Sequence, residues 1–129
     1  MTKGFVLARL IVLGLAGGVA ACSDATGPVY FAGKWLGTTS ELDLELALLQ
    51  QADTVQGTLR FTLHPSGYRC MGTVHPTIVR GIRLDFIAAM PLTCNYGSAL
   101  FAGALMGPTN KLAANVTIST TTSMLLTRQ

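Results

Sequence analysis

Residues that carry chemistry are scarce in this chain. It has two histidines and three cysteines, and none falls at the short spacing that a bound metal asks of its ligands. His64 and His75 each precede a proline, which puts one in a turn and the other at a strand end, both facing solvent. No Gly-x-Ser-x-Gly elbow presents a nucleophilic serine. Glu41, Asp43 and Glu45 alternate along one segment and read as a solvated face, not as paired catalytic acids. These absences argue against an enzyme, and no metal or cofactor site can be assigned. Basic residues do not cluster, so nothing matches the phosphate backbone of nucleic acid. No apolar run reaches the roughly 20 residues of a membrane-spanning helix.

What the chain does have begins at its amino end. Lys3 and Arg9 precede the apolar run Leu10-Ile11-Val12-Leu13-Gly14-Leu15-Ala16, and small residues then lead into Cys22. That is the order of a secretory signal, with residues 1–21 as the cleaved segment. Within it, Val19-Ala20-Ala21-Cys22 resembles the lipobox of bacterial lipoproteins. The resemblance implies cleavage before Cys22, diacylation of its sulfur and acylation of the new amino group, and several acyl chains together anchor a chain stably. Ser23 stands where an Asp would resemble the inner-membrane retention signal. The expectation is therefore a chain held in the bacterial cell envelope by its acyl chains, at the outer membrane if the source is Gram-negative. The plainer alternative is an ordinary signal cut after Ala21, with Cys22 incidental.

Cleavage changes the composition. Of 129 residues about 108 remain, enough for one modest domain. Lys3 and Arg9 leave with the signal, so the formal charge of +3 falls to about +1. With Cys22 committed to lipid, Cys70 and Cys94 form an even pair in an oxidising compartment, and a disulfide is expected. Two buried free thiols are the alternative. Residues 22–32 read as the lipidated cysteine and a short tether, because Ser23 to Val29 has turn formers and no periodicity.

From Gly33 to the end at residue 129 the pattern is period two. Glu41-Leu42-Asp43-Leu44-Glu45-Leu46-Ala47-Leu48 alternates polar and apolar residues, and on a helix these leucines would be spread around instead of forming a stripe. Thr54 to Leu63 repeats the scheme, with Val55, Leu59, Phe61 and Leu63 on one face. Further strands are expected at Gly33–Ser40, Tyr68–His75, Gly81–Ala88, Ala99–Met106, Lys111–Ser119 and Ser123–Arg128. In the Gly81–Ala88 strand Ile82, Leu84 and Phe86 should point inward. Eight short strands with tight connections predict an all-β, up-and-down antiparallel barrel, since closure removes the edges. A two-sheet sandwich is the alternative. A membrane barrel is excluded by the charged exterior of Glu41, Asp43, Glu45, Arg60, Arg83 and Asp85.

Gly33-Lys34-Trp35 at the front of this series and Leu126-Thr127-Arg128 at its end resemble the calycin superfamily, which includes the lipocalins. The resemblance implies that Trp35 plugs one end of the barrel and that Arg128 stacks across its indole. The chain is shorter than a typical lipocalin and lacks the terminal helix, which argues against a long calyx. A simple core role is the alternative for Trp35. Gly57, Gly72 and Gly103 fall on inward positions, where they either admit bulky neighbours or leave a cavity lined by Phe61, Leu84 and Phe86. A cavity would make the protein a binding module for a small apolar ligand; a filled interior would favour a protein partner, or a structural envelope lipoprotein. Inhibition of a secreted protease is a further alternative within the binding class.

Overall fold

The computed structural model describes residues 29–107 and 110–129. The signal segment, Cys22 and the tether as far as residue 28 lie outside the described residues.

Alternation along the chain becomes eight strands. They are β1 (Gly33–Thr38), β2 (Leu42–Gln51), β3 (Thr54–Leu63), β4 (Arg69–Ile78), β5 (Arg83–Ala89), β6 (Ser98–Met106), β7 (Lys111–Thr117) and β8 (Thr121–Arg128). Each pairs antiparallel with the next, and β8 returns to pair with β1, so the sheet is a closed up-and-down barrel. The β1–β8 ladder decides between barrel and sandwich, because two facing sheets have no such pairing. Leu42, Leu44, Leu46 and Leu48 of β2 all point into the barrel and are buried. Opposite them Leu59 and Phe61 of β3 fill the same layer, while Glu45 and Arg60 meet outside at 2.8 Å.

The barrel has two ends. At one lie the start of β1, the β2–β3, β4–β5 and β6–β7 connections, and Arg128. At the other lie the remaining connections, including the long one from Met90 to Gly97. We call them the strap end and the cap end.

Three expectations need correction. Ile82 is exposed, not inward. Arg80 and Arg83 exchange backbone hydrogen bonds around Gly81, so Ile82 sits in a tight turn and the inward parity starts at Leu84. Strand β4 runs past His75 to Ile78, through Pro76. A register shift between Val55 and Gly57 on the facing strand spares Pro76 the ladder bond it cannot donate. The packed unit also reaches back before Gly33, because Phe31 is fully buried and Val29 packs against the core.

Candidate functional site

The strap end is built from both ends of the described chain. Trp35 enters the barrel from β1 and is fully buried, with its indole N–H donating to the Phe31 carbonyl at 2.8 Å. That bond turns the preceding segment across the barrel mouth and drives the Phe31 ring inside. On β8, Arg128 is the direct ladder partner of Trp35, and its guanidinium carbon lies 4.3 Å from the indole centroid. The same guanidinium donates to the Ala32 carbonyl at 2.7 Å and the Tyr30 carbonyl at 3.1 Å. One cation thus covers the tryptophan and ties down the strap. Glycine at position 33 is called for by the backbone, whose φ of +123° side-chain-bearing residues rarely adopt; the Arg128 stem lies at ordinary contact distance, 3.5 Å from where a Cβ would stand.

Gln50 clamps the strap from the other side. Its amide accepts from Phe31 N–H at 2.6 Å and donates to the Val29 carbonyl at 2.8 Å. Neither Phe31 nor Gln50 carries a sequence signal of this role. Phe31 is a single apolar residue in an aperiodic stretch, and Gln50 is a polar residue near the end of a strand.

At the cap end the Met90–Gly97 connection folds over the barrel. Cys70 of β4 and Cys94 are bonded, with sulfurs 2.09 Å apart and Cα atoms 5.9 Å apart. Beside the bond, Tyr96 packs edge-on against Phe61 and Tyr68, both at 6.1 Å between centroids. The Tyr68 hydroxyl accepts from Asn95 N–H at 2.7 Å. The sequence locates this connection as the longest irregular piece, yet its aromatic contacts have no periodic pattern to announce them.

Between the two ends buried side chains pack the interior. A Cβ at Gly103 would stand 2.7 Å from the Phe101 ring, and one at Gly72 would stand 2.7 Å from the Met90 methyl carbon. Both inward glycines therefore admit a bulky neighbour. Gly57 faces the Ala47 carbonyl across the β2–β3 ladder, closer than any side chain would allow. Phe61 and Leu84 are fully buried, and Phe86 stacks on Phe101 at 4.8 Å. Three hollows stand out, and all open on the outer surface. One, of about 390 Å³, is lined mainly by Ile87, Leu100, Ala102, Asn115 and Thr117 and is bordered by Phe86. Phe61 and Leu84 line none of the three.

The outer charges pair locally. Arg83 and Asp85 meet at 3.0 Å, and Lys34 approaches Glu45 at 3.8 Å. His64 is not simply a solvent-facing turn residue, because its Nε2 lies 3.1 Å from an Asp43 oxygen. This hydrogen bond is the main influence holding the Asp43 carboxyl below its ordinary value. Among the described residues no three His, Cys, Asp or Glu side chains converge on a point where a metal ion could be held.

These features define a class: a small, closed, eight-stranded antiparallel barrel, strapped at one end and capped by a disulfide-bonded loop at the other. No protein-family model, curated protein or solved structure matches the chain.

Proposed function

We propose that this chain is a lipid-anchored lipoprotein of the bacterial envelope, a lipocalin-like barrel that recognises a protein partner through its outer surface. The observation that carries the choice of partner is the close packing of side chains inside the barrel. The space beside Gly72 and Gly103 belongs to Met90 and Phe101, and the two barrel ends are covered by Phe31 and by Tyr96. A calyx for a small apolar guest needs several hundred Å³ of enclosed volume, and the hollows described lie outside. The lipid anchor is supported by the lipobox-like Val19-Ala20-Ala21-Cys22, and the lipocalin likeness by the Trp35–Arg128 stack. The arrangement assigns no catalytic role.

Two measurements test this reading. Metabolic labelling with a palmitate analogue should mark the wild-type chain and not Cys22→Ala; an unmarked wild type overturns the anchor. Titration with a fluorescent fatty acid, followed through the single tryptophan, should give no saturable signal. Stoichiometric binding of one fatty acid per chain would overturn the filled barrel and return the small-ligand reading.

A further inference from the structure

The two ends of the barrel differ in charge and in exposed apolar surface. Counting the connections and the last two residues of each strand, the strap end carries Lys34, Arg80, Arg83, Lys111 and Arg128. Among the described residues its single acidic side chain is Asp53. By the same rule the cap end carries Glu41 and Asp43 against Arg69. Arg83 and Lys34 are partly offset by Asp85 and Glu45, which lie farther up the wall, so Arg80 and Lys111 contribute most of the excess. Exposed apolar side chains gather at the same end: Tyr30 on the strap, and Ile78, Ile82 and Met106 around successive connections. Ile82 and Met106 neighbour cations in sequence or register, since Ile82 follows Arg80 by two residues and Met106 faces Lys111. Aliphatic side chains interleaved with cations suit the boundary between lipid headgroups and acyl chains.

The direction of the chain brings this end to a membrane. Val29 enters the barrel at the strap end, and only six residues separate it from Cys22, a reach of about 25 Å when fully extended. We propose that the strap end is a docking face for a bilayer surface rich in anionic phospholipid, and that the barrel sits on the membrane with this end down and the capped loop outward. The short distance to the bilayer rests on the reading of Cys22 as an acyl anchor; the charge and the exposed apolar rim do not.

The test uses the full acylated chain in vesicles. Asn110→Cys places a label at the strap end, where the Asn110 carbonyl accepts from Arg128 N–H at 2.9 Å. Leu92→Cys places one on the exposed tip of the cap. On phosphatidylglycerol vesicles doped with a headgroup-level nitroxide lipid, the label at 110 should be quenched several-fold more than the label at 92. On phosphatidylcholine vesicles, or with Arg80→Glu combined with Lys111→Glu, the difference should collapse. Equal quenching at both positions on phosphatidylglycerol overturns the proposal, because the barrel would then tumble on its tether. So does a difference that ignores lipid charge. Loss of the acyl anchor reads differently: the chain would fail to sediment with phosphatidylcholine vesicles while still sedimenting with phosphatidylglycerol. That outcome strikes the anchor and leaves the docking face standing.

Discussion

Arg128 lies over the Trp35 ring at 4.3 Å while its backbone is the ladder partner of the same residue. One side chain therefore joins three separate elements, namely the last strand, the first strand and the strap ahead of it. A cation over an indole contributes about 0.5–2 kcal/mol when partly desolvated, and the aliphatic stem adds packing.

Arg128→Ala should lower stability by about 1–2 kcal/mol and shift the emission of the single tryptophan. Arg80→Ala, on an exposed connection of the same barrel end, should change stability by less than about 0.5 kcal/mol. Chemical denaturation of both variants checks the pair. Equal, small effects would mean that closure does not depend on this contact.

Phe31→Ala should cost about 3–5 kcal/mol, the range for removing a buried aromatic ring from a packed core. Its exposed neighbour gives the control, with Tyr30→Ala within about 0.5 kcal/mol. If both variants denature at the wild-type midpoint, the strap contributes nothing to the folded unit.

Thiol titration of the denatured, unreduced protein should find no free thiol from Cys70 or Cys94. A single reactive thiol would point to an unacylated Cys22 instead, so the count separates the two questions. Cys70→Ser with Cys94→Ser should lower stability by about 3 kcal/mol, given a sequence separation of 24.

The Asp43–His64 contact predicts a modest acid dependence. Its hydrogen bond lowers the carboxyl's proton affinity in the folded state. The resulting stability is present above the unfolded value of about 4 and is lost as the pH falls through the lower folded value. Because both side chains are partly exposed, the pair contributes under about 1 kcal/mol. The urea midpoints of wild type and His64→Ala should differ slightly near pH 5 and converge near pH 2. A difference that stays constant across that range would remove the Asp43 explanation.

The barrel wall was legible in the sequence because one face of each strand meets water. Leu42 to Leu48 shows this directly: every second residue is buried, and the residues between are polar or small. Trp35 and Arg128 were marked in the sequence only by the resemblance of Gly33-Lys34-Trp35 and Leu126-Thr127-Arg128 to the calycin pattern. What closes the barrel was not. Phe31 and Tyr96 act from irregular segments, where a side chain's direction depends on the hydrogen bonds of Gln50 and Tyr68 and not on a period. Ile82 misled for a related reason, since parity counted back from Leu84 fails once the backbone turns. The filling of the interior was equally hidden, because a glycine on an inward position reads the same beside a ring as beside a void.

Closure of β1 on β8 also sets the order of events during synthesis. Arg128 follows the other seven strands in the chain, so a growing chain holds Trp35 and Phe31 before Arg128 is there to cover them. Until β8 is complete, the nascent sheet presents unpaired edges that can recruit other chains. Folding that depends on the most distant pairing in the sequence is slow.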